Sequence, residues 1–458
     1  MVTAADSTLP ELDAEELVRW RAGGGQLVDL LTAAQRLGPV AGFRIGDRQV
    51  VLVTGPEEVQ HVLARNPDTY VKHGHRAKVL LGDGLLCAAG EPWRRQRKLL
   101  QPQFTVRGIR TYEPQLRAAV AALADRWRAA ADSGEARELD ADLRYFSLDV
   151  IWRSLTAQAL DEPTYRQLVA AGDSLAAIPA FAPATGETAA DFSQAVADAD
   201  RAAEHAIALA RKADEPTLIA VLLGAAAELP GYDEQLVRDE LLTLMVAGYE
   251  TTATTLGWLF LLLDTHPEQR DWALSAGPAG SAERAAAIRA LIDETLRLYP
   301  VAWLMPRHAA ETGTVGGRTV PAGATVLLCP YLTHRDPALW PDPETFRPQR
   351  FLAAEQRPAP GTYFPFGLGP RACIGAQFAV REMTLLLEEL LPAVRPEIRE
   401  RPGGAGYRLT VHPDGPIRAV LRRDAGDWAV GDPAAGDRAA GDRNAGGRAA
   451  GDRDENRL

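Results

Sequence analysis

The chain of 458 residues has only three cysteines, Cys87, Cys329 and Cys373, and they lie far apart in the sequence. This spacing argues against a disulfide framework and against a zinc cage. Long hydrophobic runs are also lacking: the longest strongly apolar stretch is Leu256 to Leu263, whereas a helix that spans a bilayer needs about 20 residues. The 50 basic residues are outnumbered by 61 acidic ones, and the resulting net charge of −11 argues against nucleic acid as a partner.

The N-terminal segment lacks the features of a targeting sequence. Met1 to Trp20 is acidic and polar, with neither a basic n-region nor an apolar h-region. We therefore predict no signal peptide, no membrane anchor and a cytoplasmic location. With 46% hydrophobic and 24% charged residues, the chain has the composition of a globular protein with a large core.

One cysteine lies in a segment suited to hold a reactive atom, residues 366–375 (FGLGPRACIG). Gly367 and Gly369 permit a tight turn with positive φ, and the apolar run Ile374 to Leu391 predicts a helix that starts at the sulfur. The amides at a helix N-terminus lower the pKa of a thiol and so favour the thiolate. A thiolate in an apolar loop is what a haem iron with a cysteine ligand requires. Alternatively, Cys373 is a buried structural thiol, as most free cysteines are.

A second motif lies inside a long predicted helix, Asp233 to Asp264. Residues 247–252 (AGYETT) place a glycine and two β-branched hydroxyl residues within that helix, which local propensity disfavours. The Thr251 hydroxyl can bond a carbonyl of its own helix and leave a groove for a small ligand and water. The Glu250 carboxylate beside it can relay protons. The alternative is a helix that tolerates polar residues in a crowded core.

Two further pairs have helical spacing. Trp93 and Arg97 lie one turn apart and form a donor pair for a carboxylate. Glu294 and Arg297 are spaced i, i+3 near the end of another predicted helix and can form an ion pair. The cations next to Trp93 are either solvated surface or a docking patch for an acidic redox protein; they are Arg94, Arg95 and Lys98.

Together these segments resemble the cytochrome P450 family. Residues 366–375 resemble its haem-binding signature, residues 247–252 its oxygen-activation motif, and Trp93-x-x-x-Arg97 its helix over the haem edge. The resemblance covers roughly residues 25 to 421 and implies the cytochrome P450 fold, mainly α with a smaller β-rich lobe. Residues 1–24 would then be an N-terminal arm. Within residues 422–458, Ala-Ala-Gly-Asp-Arg recurs between positions 434 and 453, once imperfectly. This segment has no apolar face to bury, so we expect a disordered tail.

The resemblance implies a role for each matching residue. Cys373 would ligate the haem iron, with Phe366 beside the sulfur and Gly375 closing the signature, while Thr251 hydrogen-bonds dioxygen and Glu250 helps deliver protons. The residues that would neutralise the haem propionates are Trp93, Arg97, Arg307 and Arg371. Those that would line the distal cavity are Ala247, Val301, Ala302, Trp303 and Leu304, although Trp303 is equally compatible with ordinary core. A buried structural clamp would consist of Glu294, Arg297 and Arg350.

The implied activity is that of a haem-thiolate monooxygenase. It would use haem b and dioxygen to hydroxylate or otherwise oxidise a lipophilic small molecule of secondary metabolism, such as a terpenoid or a polyketide. Because no flavin or iron-sulfur module has room in the chain, we expect electrons from NAD(P)H to arrive through separate ferredoxin and ferredoxin reductase proteins. Two alternatives are open: oxidative coupling, desaturation or peroxide-driven oxidation on the same haem, and a haem-binding sensor without turnover. The Glu250–Thr251 pair argues against the sensor.

Overall fold

The computed structural model describes residues 8–72, 77–176, 192–353 and 358–424. The predicted tail, apart from residues 422–424, lies outside the described residues, as do the first seven residues of the predicted arm. The described part of the arm packs on the domain: the Leu12 N–H donates to Gly42 O at 2.9 Å, and the Leu12 side chain is 7% exposed. The predicted boundaries at residues 25 and 421 stay predictions.

Helices make up most of the described chain, in agreement with the predicted fold class. The α-helices are α1 Ala14–Ala22, α2 Leu27–Gln35, α3 Pro56–Gln60, α4 Lys78–Leu81, α5 Gly90–Leu100, α6 Val106–Ser133, α7 Leu139–Thr156, α8 Glu162–Ala176, α9 Ser193–Ala210, α10 Leu218–Glu228, α11 Glu234–Thr265, α12 Pro267–Ser275, α13 Ala282–Leu298, α14 Pro330–Thr333 and α15 Ala376–Leu390. Short helical turns of other types cover His61–Arg65, Gln101–Phe104, Pro348–Phe351 and Gly369–Arg371.

The strands of the described chain form four small sheets. They are β1 Val40–Ile45, β2 Arg48–Val53, β3 Tyr70–Val71, β4 Ala136–Glu138, β5 Met305–Ala309, β6 Gly313–Val315, β7 Arg318–Val320, β8 Thr325–Leu328, β9 Val394–Glu400, β10 Ala405–Tyr407, β11 Val411–Pro413 and β12 Arg418–Arg423. The main sheet has the order β1-β2-β8-β5-β3, in which only the β2–β8 pair is parallel. A three-stranded sheet has the order β4-β12-β9, and β6–β7 and β10–β11 are hairpins.

The main sheet is buried on both faces at β2. Successive side chains of this strand point in opposite directions, and each set enters a different core. Val50 and Leu52 belong to the core formed with α2, whereas Val51 and Val53 belong to the core on the opposite face. A near-continuous apolar run in β2 is the sequence pattern expected of such a strand. This sheet positions β5, whose first residues follow the extended segment predicted to line a cavity.

The central helix α11 runs from Glu234 to Thr265, close to its predicted bounds. The Asp233 carboxylate caps it by accepting from the Leu236 N–H at 2.9 Å. It packs most extensively against α7, and Gly248 explains how the two helices approach so closely. A Cβ on Gly248 would lie 2.3 Å from Ile151 Cδ1. The glycine in the AGYETT segment therefore has a packing role that its local propensity alone does not show.

Candidate functional site

The loop before Cys373 folds back on itself and holds the sulfur at a fixed place. Gly367 and Gly369 have φ of +72° and +70°, a region that glycine adopts without steric cost. A Cβ on Gly369 would also lie 2.1 Å from the carbonyl oxygen of Leu63. The Cys373 N–H donates to Phe366 O at 2.8 Å and closes the loop. The predicted glycine turn ahead of the sulfur is confirmed.

The Cys373 side chain is exposed and yet surrounded by protein atoms, the combination expected of a residue that lines an interior cleft. Enclosure raises the pKa of the thiol, whereas the N–H groups of Gly375 and Ala376 and the charges of Arg97 and Lys72 lower it. Our expectation of a lowered pKa counted only the helix start, and the net direction is wrong because burial dominates. The helix itself begins at Ala376, beyond the sulfur. A metal ion that binds a thiol displaces its proton in any case.

A buried ion-pair cluster lies behind this loop. The Glu294 carboxylate accepts from Arg297 Nε at 2.8 Å and Nη2 at 2.9 Å, and also from Arg350 Nε at 3.0 Å. All three side chains are at most 4% exposed. Arg297 Nη1 donates to the carbonyl of His334 at 2.9 Å, and His334 Nε2 accepts from the Phe364 N–H at 3.0 Å. The cluster therefore connects α13 to the chain that enters the cysteine loop.

Basic side chains surround the cleft on the side of the loop. Arg97 Nη1 donates to Ala372 O at 2.8 Å, and Arg371 Nη1 donates to Ala88 O at 3.0 Å. The Arg371 guanidinium also lies 3.9 Å from the centre of the Trp93 ring, a cation–π contact. The structure thus brings Trp93, Arg97 and Arg371 together at the loop, as the resemblance implied.

Arg307 and Lys72 complete this group of cations. Burial lowers the pKa of Arg307 to about 10. Burial and then the charge of Arg307 lower the pKa of Arg371 to about 10. Burial followed by the charges of Arg307 and Arg371 lowers the pKa of Lys72 to about 8. Sequence reasoning missed Lys72, because a lysine after the short strand β3 has no distinctive spacing.

The donor set of the cleft fits a haem. No carboxylate contributes to the pKa shifts of Arg97, Arg307, Arg371 or Lys72 in the described part of the chain. Several enclosed cations without an anion are costly, since each loses hydration that no opposite charge replaces. Two propionates next to an iron that requires a thiolate would supply this missing negative charge. These cations therefore suit the propionates of a haem whose iron binds Cys373.

The predicted oxygen-binding segment lies in the middle of α11, and the resemblance places it across the cleft from Cys373. The Thr251 hydroxyl is partly exposed and donates to Ala247 O at 3.0 Å, within a continuous helix. Glu250 Oε1 accepts from the Thr410 hydroxyl at 3.2 Å. The intrahelical bond of Thr251 agrees with the predicted one, although the helix is not interrupted there.

Side chains alternate along the segment that precedes β5. Ala302 is exposed and Leu304 is partly exposed, whereas Val301 and Trp303 are only 4% and 2% exposed. The Trp303 ring packs edge-on against Tyr407, and its Nε1 donates to Arg408 O at 3.0 Å. This placement corrects the prediction that Val301 and Trp303 line the cavity, because in an extended chain alternate side chains point to opposite sides. Trp303 is core, the other interpretation that its sequence allowed.

Sequence reasoning also missed a buried acid, Glu382, which binds the residue after Thr251. Thr252 Oγ1 donates to Glu382 Oε1 at 2.6 Å, and both side chains are at most 3% exposed. Glu382 Oε2 has no hydrogen-bond partner in the described residues. Burial raises the pKa of Glu382 from its ordinary value of 4.5 to about 8. The sequence did contain a signal for this buried acid, since Glu382 interrupts the apolar run of α15.

The buried acid predicts a pH dependence of stability. An acid whose pKa is raised by folding stabilises the fold fully below about pH 4.5, and this contribution is lost as the pH rises through about 8. The prediction concerns the melting temperature of Glu382→Gln minus that of the parent. This difference should be about 2–5 °C more positive at pH 8.5 than at pH 6. Thermal unfolding of the haem-loaded protein across this range measures the effect. Glu388→Gln removes a partly exposed carboxyl from the same helix and should show no such trend; equal trends in both variants would contradict the assignment.

Comparison with known proteins agrees with this geometry. The family model for cytochrome P450 matches residues 17–272 and 285–401. The chain therefore belongs to the cytochrome P450 family, a family of haem-thiolate monooxygenases. This confirms the resemblance, the fold class and the enzyme class predicted from the sequence.

Individual relatives and structures give the same family. Cyclooctatin synthase of Streptomyces melanosporofaciens is 32% identical over 417 residues, which are 84% of this chain and 88% of the relative. Cyclooctat-9-en-7-ol 5-monooxygenase of the same organism is 34% identical over 398 residues, 80% of this chain and 84% of the relative. A six-coordinated cytochrome P450 from Thermus thermophilus has a TM-score of 0.70 at 28% identity, covering 90% of this chain and 100% of that chain.

Membership of the family implies a haem cofactor, a small-molecule substrate and a redox partner. The cysteine loop and the cations described above are the residues that suit this cofactor. Among the residues that the structure describes, no helix is both long and apolar enough to cross a membrane.

Proposed function

We propose that the protein hydroxylates a neutral, lipophilic terpenoid in secondary metabolism. The single observation that carries the proposal is a contrast in side chains: cations lie at Cys373, whereas the exposed side chains Ala247 and Ala302 of the two segments assigned to the substrate side are small and apolar. The names of two relatives, cyclooctatin synthase and cyclooctat-9-en-7-ol 5-monooxygenase, support a terpenoid. The second name specifies a monooxygenation of an unsaturated alcohol, which fits an apolar cavity with room for few polar contacts.

In this proposal the side chains at the loop bind and orient the cofactor. Cys373 provides the sulfur ligand, and the loop closed by Phe366 fixes where the sulfur points. The cations and the indole would hold the propionates; they are Lys72, Trp93, Arg97, Arg307 and Arg371. Haem, when bound there, supplies the dioxygen-activating chemistry.

The residues of α11 would move protons on the side of the haem opposite Cys373. The Thr251 hydroxyl, which donates to Ala247 O, can turn to donate to a small ligand in the cleft. Glu250, one residue earlier, would replace the proton that Thr251 passes on. Ala247, Ala302 and Leu304 would hold the apolar part of the substrate and exclude bulk water from this exchange.

The electrons would come from NAD(P)H through a ferredoxin reductase and a ferredoxin in the cytoplasm. Exposed cations on α5 support an acidic partner of this kind, because opposite charges speed encounter and orient the partner; they are Arg94, Arg95 and Lys98. Arg94 lies 3.5 Å from Glu91 and 3.6 Å from Asp68, so part of this charge is balanced locally. Reversing the three charges should lower the rate of ferredoxin reduction and weaken its salt dependence.

Titration with candidate substrates tests the proposed function. We expect a cyclic terpenoid hydrocarbon or alcohol to displace water from the haem, seen as a spin-state shift in the absorption spectrum. Product carrying one added oxygen should then form when ferredoxin, reductase and NADPH are supplied. Binding of polyketides but not of terpenoids would contradict the substrate class. Desaturated or coupled products without added oxygen would contradict hydroxylation.

Replacing Thr251 with alanine should separate dioxygen consumption from product formation. Without the hydroxyl, proton delivery at the reacting oxygen loses its last donor, so we expect product per NADPH to fall about 10- to 100-fold while hydrogen peroxide rises. Thr254→Ala, at a partly exposed position of the same helix, is the matched control and should leave the ratio unchanged. An unchanged ratio in Thr251→Ala would remove Thr251 from the proton relay.

A further inference from the structure

Glu250, the proposed proton donor on α11, has a hydrogen-bond partner in a distant part of the chain. Thr410 Oγ1 donates to Glu250 Oε1 at 3.2 Å. Thr410 is only 5% exposed, so its hydroxyl is shielded from competing water. The two residues are 160 positions apart in the sequence. The contact therefore depends on how the C-terminal hairpin is placed on the central helix.

This hairpin, β10–β11, is fixed both to α11 and to the segment that precedes β5. The indole of Trp258 in α11 donates to Val411 O at 3.1 Å. The Val411 N–H donates to Val301 O at 3.1 Å, in the segment that carries Ala302. These two bonds fix the main chain of the residue that follows Thr410, and so they fix the position from which the Thr410 side chain reaches Glu250.

The turn between the two strands is itself ordered by hydrogen bonds. The Arg408 N–H donates to Thr410 O at 3.1 Å, and His412 Nδ1 lies 3.1 Å from the same carbonyl oxygen. Trp303 Nε1 donates to Arg408 O at 3.0 Å. Trp303, which packs in the core instead of lining the cavity, thus supports the turn that carries Thr410.

A threonine suits an acid that must both lose and regain a proton. A hydroxyl donates one hydrogen bond and also accepts, so it can donate to ionised Glu250 and accept from protonated Glu250. An arginine or lysine in this place would favour the ionised form alone. Thr410 therefore keeps the carboxyl in one position through both protonation states.

We propose that Thr410 is a positioning residue for the Glu250 carboxyl in proton delivery. The proposal rests on the proposed relay through Glu250 and Thr251, and it adds a third residue that acts through Glu250. The C-terminal hairpin then influences the chemistry as well as the shape of the cleft.

Two substitutions at this position separate the hydroxyl from the packing. Thr410→Val keeps the shape and removes the hydrogen bond, and we expect product per NADPH to fall about tenfold, the effect of losing one hydrogen bond to a charged group. Thr410→Ser keeps the hydroxyl and should stay within about twofold of the parent. The dissociation constant of the substrate, haem content and melting temperature should not change in either variant. A crystal structure of Thr410→Val should show the Glu250 carboxyl displaced from its present position.

A double-mutant cycle with Glu250→Gln decides whether Thr410 acts through Glu250. If it does, adding Thr410→Val to Glu250→Gln should lower product per NADPH no further, whereas independent effects would multiply. Multiplying effects would overturn the proposal. A normal yield in Thr410→Val, or equal losses in the valine and serine variants, would also overturn it. These results would leave the relay through Glu250 and Thr251 intact. Normal yields in Glu250→Gln and Thr251→Ala would instead overturn the relay, and the role of Thr410 with it.

Discussion

Replacing Cys373 with alanine should reduce substrate oxidation to the background given by free haem. The loop supplies a single sulfur at the cleft, held by the hydrogen bond from its own N–H to Phe366 O. Among the described residues, the charged side chains that act on this thiol are Arg97 and Lys72, and neither can supply a thiolate. Product formation with ferredoxin, reductase and NADPH measures the loss, and the absorption spectrum of the same samples shows whether haem is still bound.

Cys87 provides the matched control. Its thiol is partly buried near Lys72, and burial raises its pKa to about 11. Cys87→Ala should retain the parent spectrum and product yield. If Cys373→Ala kept its activity, or if Cys87→Ala lost it, the sulfur ligand would have been assigned to the wrong residue.

Replacing Glu294 with alanine should have the largest effect on stability. Arg297 and Arg350 would then be two buried cations without the carboxylate that now binds both. Removing one partner of a buried pair costs about 3–5 kcal/mol. We expect a strong loss of folded, haem-loaded protein, because the cluster also holds the chain that enters the cysteine loop. The yield of haem-loaded protein and its urea midpoint measure the effect.

Glu389→Ala is the control for this second prediction. Glu389 pairs with Arg128 at the surface, where its side chain is 45% exposed, and exposed pairs contribute only about 0–1 kcal/mol. The control should therefore lie close to the parent in both measurements. A Glu294→Ala protein as stable as Glu389→Ala would show that the buried cluster does not support the loop.

Features that depend on neighbours in the sequence could be predicted from the sequence. Gly367 and Gly369 determine the turn before Cys373, because only their own backbone conformation is involved. Glu294 and Arg297 are one helical turn apart, so their pairing follows from the helix. Thr251 bonds to Ala247 for the same reason. In each case a local rule fixes the geometry.

Features that depend on distant contacts could not be predicted in this way. Lys72 and Thr410 reach the site through the packing of short strands, and nothing next to either residue in the sequence indicates its partner. The resemblance implied that Trp303 lines the cavity, and the sequence of an extended segment does not show which of its side chains face inward. The pKa of the Cys373 thiol is raised because enclosure outweighs the helix amides, a balance that requires the three-dimensional structure.

Glu382 is an intermediate case. A carboxylate inside an apolar helical run indicates a buried acid, and such an acid requires a partner. The partner, Thr252, lies 130 positions away, so the sequence could indicate that a partner exists but could not identify it.

The absorption spectrum of the purified protein, reduced and saturated with carbon monoxide, tests the central claim most directly. We predict the red-shifted Soret band of thiolate-ligated haem, at one haem per chain, and its loss in Cys373→Ala but not in Cys87→Ala. A folded parent protein that binds one haem and shows no thiolate-type band, or shows it equally in Cys373→Ala, would contradict the assignment of Cys373 as the haem ligand.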